Sequence, residues 1–257
     1  MKKILFRADD LGYSEAVNYG IEKSVKEGMI RSVGVMVNMT ASEHGVSLLR
    51  DEDIAFGQHT NFCAGRPISN PKYIPSLVDA EGMFKTSAVY RKAKVDFVKY
   101  EEALIEIEAQ YQKFLSLFHK KPDYFEGHAA ARDNFFRALK DFGQEYELKY
   151  SGLPEGRNPN NLDKESYIVV NDHKVYMTME SMNDVYDPYD TFYKMINNCR
   201  KDGVEMMIFH PGYLDDYIIQ HSSLLLPRTK EVVFLTDSNI YSDIQQREIK
   251  TIDYRDL

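Results

Sequence analysis

Four short β-rich runs in this chain each lead into side chains that can do chemistry. Lys3–Ala8 leads to Asp9-Asp10, Ile54–Gly57 to His59, Asp123–Glu126 to His128, and Val204–Phe209 to His210. Runs this brief, bounded by polar residues, read as buried strands rather than helices. Between them lie segments with helical spacing. Ser14 can cap a helix carrying Val17, Ile21 and Val25, with Gly28 where it should stop. Ser32–Val37 is β-rich again. Leu104, Ile107, Tyr111, Phe114, Leu115 and Phe118 make one stripe of a helix from about Asp96 to Phe118, which Pro122 ends. Strand alternating with helix predicts right-handed βαβ units and a mostly parallel sheet. In such sheets the C-terminal strand ends open on one face, where reacting groups collect.

Two stretches break the alternation. Residues 63–95 carry Gly65, Pro67, Pro71, Pro75 and Gly82 without clear periodicity and read as a long loop beside a site. A second irregular region runs from Gly152 to Asp163. Helices are expected over Asn134–Phe142 and near 189–201, and Thr229–Asp237 with the last twenty residues are expected to supply a further helix and one more strand. No linker or internal repeat divides the 257 residues, so the whole chain, 1–257, reads as one α/β domain.

Composition narrows the partners. With 32 Lys and Arg against 40 Asp and Glu, the formal charge is −8, which argues against a broad nucleic-acid or anionic-membrane surface. Cys63 and Cys199 are the only cysteines, too few for a disulfide framework or a thiolate zinc site. The apolar run after Met1 is too short for a signal peptide, and no stretch is long enough to span a bilayer. The expectation is a cytoplasmic protein acting on a small molecule, with a homodimer expected from base rates alone.

The strand-end residues suggest the chemistry by position. One carboxylate and two imidazoles make a three-donor set for a divalent cation and leave a coordination position for water. Zinc, iron and manganese all suit such donors. Each residue alone has an ordinary reading, adjacent aspartates as a solvated turn and a histidine as a hydrogen-bonded packing residue. His44, His119, His173 and His221 lack strand-end placement and are read as surface or packing residues, with His119 a helix C-terminal cation.

Four motifs in order add a family resemblance. Ala8-Asp9-Asp10-Leu11-Gly12-Tyr13-Ser14 with Val17-Asn18, then Gly57-Gln58-His59-Thr60-Asn61 with Gly65-Arg66-Pro67, then Pro122 to His128, then His210-Pro211-Gly212-Tyr213, resemble the YdjC-like carbohydrate deacetylases, a family that includes chitooligosaccharide deacetylases. The resemblance implies a distorted TIM-barrel-like (β/α) fold, one divalent metal, magnesium or zinc, and hydrolysis of N-acetyl groups on a mono- or oligosaccharide. Carried onto this chain, it implies Asp10, His59 and His128 as metal ligands, Asp9 as general base and His210 as general acid. Asn61, Arg66, Arg132 and Tyr213 are the expected substrate contacts, and Arg66 or Arg132 could also orient Asp9. Phe62, Tyr73 and Tyr217 are further candidate stacking surfaces for sugar rings. Many relatives carry more histidines after the third motif, where this chain reads Ala129-Ala130-Ala131-Arg132, a departure that bears on substrate choice. Two other readings stay open: a metal hydrolase for another amide or ester, and a catalytically silent carbohydrate-binding protein on the same fold.

Overall fold

A computed structural model describes residues 1–130, 132–152, 167–179, 182–183 and 185–257. Its strands are β1 (Lys3–Leu11), β2 (Ser32–Val35), β3 (Ala55–Asn61), β4 (Tyr124–His128), β5 (Tyr167–Val170), β6 (His173–Thr178), β7 (Val204–Phe209) and β8 (Lys250–Ile252). Its helices are α1 (Glu15–Lys26), α2 (Ser42–Leu49), α3 (Ser87–Lys92), α4 (Tyr100–Phe118), α5 (Asp133–Glu145), α6 (Pro188–Asn197), α7 (Asp216–His221), α8 (Leu226–Leu235) and α9 (Ser238–Gln246). The sheet runs β4-β3-β2-β1-β7-β6-β5, with β8 also paired to β1. Every pairing is parallel except the β5–β6 hairpin. This is the mostly parallel, distorted barrel-like α/β arrangement expected. No helix among the described residues is long and apolar enough to cross a membrane.

Helices cover the outer face, so the central strands are buried on both sides, and β3 and β7 have no exposed position. The outer core packs α1, α6 and α8 against β1 and β2 through Val17, Ile21, Phe192, Phe234 and Phe6. The concave side holds Leu5, Tyr124, Met206, Ile208 and Tyr254. Ser14 caps α1 as expected, its hydroxyl accepting the Val17 N–H at 3.3 Å.

The long loop is better anchored than its composition suggests. Buried polar residues of α4 satisfy its backbone: Glu106 accepts the N–H groups of Ile68 and Ser69, and Glu102 accepts that of Ser76. The loop also contains α3, and Phe62 at its start is wholly buried between Phe84 and Phe135 instead of offering a face to sugar. The β5–β6 hairpin was not expected, although Asn171-Asp172, both at positive φ, is a two-residue turn between β-formers. Beyond Gly152, the second irregular stretch lies outside the described residues, as does Ala131.

Candidate metal centre and catalytic groups

Both aspartates of the first motif lie inside β1, at an irregularity. Ala8 pairs with Val33 and Leu11 with Val35, so Asp9 and Asp10 together oppose only Gly34. The extra residue is a bulge, and Asp10 takes φ +78°, a left-handed conformation that Asp tolerates better than most side chains. Gly12, at φ +102°, then turns the chain, and its N–H donates to the side-chain Oδ1 of the buried Asn18 at 2.6 Å. Gly34 has to be small. A Cβ there would stand 2.8 Å from Asp9 Oδ1 and 3.3 Å from His59 Cβ.

The two carboxylates are fixed differently. Arg7 Nη2 donates to Asp9 Oδ2 at 2.7 Å, and Arg7 Nη1 donates to the Tyr254 hydroxyl at 3.2 Å. Asp9 Oδ1 is buried without a hydrogen-bond partner. Arg228, in the first turn of α8, donates through Nη2 to Asp10 Oδ2 at 2.7 Å and through Nη1 to the His210 carbonyl at 3.2 Å. Burial alone would raise the Asp10 carboxyl, but Arg228 and His128 outweigh it and hold the group well below the usual carboxylate range. Asp10 Oδ1 is left without a hydrogen bond and faces two imidazoles.

Those imidazoles come from neighbouring parallel strands. Asn61 pairs with His128 and His59 with Glu126, so His59 and His128 stand at the same end of the sheet. Glu126 Oε1 meets His59 Nδ1 in a short contact, which fixes that ring and turns Nε2 toward the cluster. His59 Nε2 lies 3.4 Å from Asp10 Oδ1 and 2.8 Å from His128 Nδ1, and His128 Nδ1 lies 3.2 Å from Asp10 Oδ1. Donors about 2.0–2.2 Å from one ion stand roughly 2.8–3.6 Å apart at tetrahedral or octahedral angles. The three donors therefore have the mutual spacing that a shared cation requires.

The charges agree with the spacing. Among the described residues, Asp9, Asp10 and Glu126 are opposed by only two guanidiniums, Arg7 and Arg228. Burial would lower His59, yet Glu126 and Asp9 overcome it and hold the imidazole at about 9. His128 is likewise held well above the ordinary imidazole range, against burial, by Cys63 and Asp10. A buried cluster that draws protons onto both rings is one that favours positive charge. The orphaned Asp10 oxygen, the donor spacing and this potential together fit a divalent metal.

His210 follows β7 directly, at the same end of the sheet. Its ordinary pKa suggested an acid ready at neutral pH, but the structure corrects this. Burial pushes the imidazole down to about 4 against the pull of Asp10 and Asp9, and Nδ1 is enclosed without a partner. The resting ring is neutral at pH 7. Its backbone N–H donates to Glu231 Oε2 at 2.6 Å, and Tyr186 donates to Glu231 Oε1 at 2.7 Å.

Burial raises the Glu231 carboxyl from 4.5 to about 8. The folded protein thus keeps a proton there that the unfolded chain has already released. That contribution to stability is complete below pH 4.5 and is lost as pH rises through about 8. His210 acts oppositely, its contribution fading as pH falls from 6.5 through about 4. In Glu231→Gln, urea-unfolding stability is expected to decline less between pH 4.5 and about 8 than in the unsubstituted protein. Equal slopes in the two proteins would mean that Glu231 is ionised in the fold.

The remaining candidates separate. Asn61 is wholly buried, and both ends of its amide hold the chain: Oδ1 accepts the N–H groups of Cys63 and Ala64, and Nδ2 donates to Asn38 and the Ala64 carbonyl. Arg132 donates to the Ala93 carbonyl at 2.9 Å, tying α5 to the long loop. Arg66 and Tyr213 are exposed, as is Tyr73. Arg7, and neither Arg66 nor Arg132, orients Asp9. Arg7, Glu126, Arg228 and Glu231 complete the site without having been singled out in the sequence.

Comparison with known proteins identifies relatives of the chain. Residues 3–246 match the family model described as YdjC-like protein. The carbohydrate deacetylase of Clostridium beijerinckii is 30% identical over 263 residues, covering 99% of this chain and 100% of that protein. Carbohydrate deacetylase 2 of Listeria innocua is 28% identical over 267 residues, covering 99% and 98%. Among solved structures, an Enterococcus faecalis protein assigned to cellobiose-phosphate cleavage superposes with a TM-score of 0.82 at 21% identity, over 99% of this chain and 98% of that one. That likeness shows a shared fold.

Proposed function

The chain belongs to the YdjC-like protein family, and from that premise we propose that it is a metal-dependent carbohydrate deacetylase, a hydrolase that removes the acetyl group from an N-acetylated mono- or oligosaccharide. One observation carries the reading: three donors at ion-sharing distances stand beside a second carboxylate, Asp9, that takes no part in the trio. Asp10, His59 and His128 would hold magnesium or zinc, which supplies Lewis acidity and makes water acidic enough to attack an amide near neutral pH.

The chain's own groups do the rest. Arg7 occupies Asp9 Oδ2, so Oδ1 is the oxygen available to take the proton from the attacking water. Glu126 keeps His59 in one tautomer and one orientation. His210 begins neutral. Asp9 and Asp10 already raise its basicity, and the negative charge that grows on the former carbonyl oxygen as water adds to the amide reinforces theirs. His210 then becomes basic enough to take up a proton from solvent and pass it to the departing sugar nitrogen, while Asp9 releases to solvent the one it took from the attacking water. Arg66 and Tyr213, both exposed, are the contacts assigned to sugar hydroxyls. Asn61 and Arg132 serve the substrate by holding the loop that borders it.

The test is acetate release from a panel of N-acetylated sugars, before and after chelation. Chelated protein is expected to lose at least about 100-fold in turnover and to recover it on return of zinc or magnesium, whichever the site selects. Unaltered turnover in protein shown to be metal-free by elemental analysis would overturn the metal-dependent reading. Sugar binding without acetate release in metal-loaded protein would favour a silent binding protein.

A further inference from the structure

Ring contacts continue outward from the donor cluster. His59 and His128 meet edge to face at 4.8 Å, His128 meets Tyr13 at 6.3 Å, and Tyr13 meets Tyr217 at 6.2 Å. Tyr217 is stacked on His221 at 4.2 Å with the ring planes 16° apart. The path begins inside and ends outside: His59 and Tyr13 are buried, His128 and Tyr217 are half-buried and His221 is exposed. A wall of rings thus runs from the cluster to the surface.

The inner part of the wall is fixed. The Tyr13 hydroxyl donates to the His221 carbonyl at 3.3 Å, and the Arg228 guanidinium lies over the Tyr13 ring at 5.7 Å. The outer part offers open valences. His221 Nδ1 is 2.9 Å from the Tyr217 carbonyl, which can only accept, so Nδ1 carries the hydrogen and Nε2 of the neutral ring is left as an acceptor. The Tyr217 hydroxyl has no hydrogen-bond partner among the described residues. A flat stacked pair with a free acceptor and a free hydroxyl at its edge matches one face of a pyranose ring, apolar C–H bonds at the centre and hydroxyls around the rim.

We propose that Tyr217 and His221 form a stacking subsite for a second sugar ring, one ring outward from the acetylated sugar, so that the site prefers an oligosaccharide to a monosaccharide. The proposal rests on the deacetylase reading for its chemistry and on the ring contacts for its location. The competing account is structural. Tyr217 and His221 are an i,i+4 pair on α7, and such pairs steady short helices with no ligand involved.

Acetate release from N-acetylglucosamine and from its β-1,4-linked dimer separates the two accounts. Tyr217→Ala and His221→Ala are each expected to raise KM for the dimer roughly three- to tenfold, the size of one aromatic contact. They should change kcat far less and shrink the dimer-over-monomer preference. Tyr217→Phe, which keeps the stack, should retain most of that preference. Equal effects on monomer and dimer, or none, would overturn the subsite. Calorimetric titration of the dimer into the metal-loaded Asp9→Asn protein gives an independent readout. If no sugar releases acetate but Tyr217→Ala added to that background still weakens dimer binding, the deacetylase reading fails and the subsite stands. If the dimer binds both proteins equally, the subsite fails.

Discussion

Asp9→Asn is expected to lower turnover by about 10²–10⁴-fold, the range a single general acid–base group supplies, while the purified variant still binds metal. The argument is geometric. Arg7 Nη2 sits 2.7 Å from Asp9 Oδ2, and an asparagine oxygen can accept that bond in the carboxylate's place. The amide nitrogen then stands where Oδ1 stood, opposite Gly34, with hydrogens of its own and no capacity to take a proton. Asp10, His59 and His128 are untouched, so metal content by elemental analysis should match the unsubstituted protein. Outright removal of one partner from a buried ion pair costs about 3–5 kcal/mol, but Arg7 keeps the Tyr254 hydroxyl at 3.2 Å and Glu126 at 3.7 Å, so the folded state should survive. A loss of less than about tenfold would remove Asp9 from the role of base. Loss of metal together with activity would make it a ligand.

What the chain discloses in one dimension follows from which interactions are local. The strands were legible because burial on both faces forces continuous apolar runs, and the strand-end residues because parallel strands bring their ends to one side. His59 and His128 were placed on that reasoning, and β3 and β4 deliver them in adjacent register. The groups that orient the donors left no such trace. Glu126 in β4 looks like ordinary strand alternation, and Arg228 lies 218 positions from the Asp10 it holds. A buried charge is indistinguishable from a surface charge until its partner is known. The β1 bulge was equally hidden, because Asp9-Asp10 reads as the end of a strand and Gly34 as one residue of the next. Only pairing shows that both aspartates oppose that single glycine. His221 follows no strand, so nothing local marks it, and only its stack on Tyr217 joins it to the ring contacts that reach His128.

The second large effect separates charge from conformation at Asp10. Asp10→Ala should abolish metal binding and also destabilise the protein by about 3–5 kcal/mol, the cost of leaving one member of a buried pair alone. Arg228 is only 1% exposed, and its remaining partners are the Leu224 and His210 carbonyls, which carry no charge to offset its own. Alanine would also have to adopt φ +78°, which its Cβ disfavours. Asp10→Asn changes the charge and keeps the rest. Asparagine tolerates the left-handed region, and its oxygen can still accept from Arg228 Nη2. It should therefore lose metal affinity and turnover as fully as alanine does while recovering much of the lost stability, read as an upward shift of the urea midpoint relative to Asp10→Ala. If both variants unfolded at the same denaturant concentration, the Arg228 pairing would contribute nothing measurable to the fold, and the bulge would be held by Gly12 and Asn18 alone. If Asp10→Asn kept full metal affinity, the carboxylate would not be a ligand, and the three-donor centre from which the deacetylase reading was built would be lost with it.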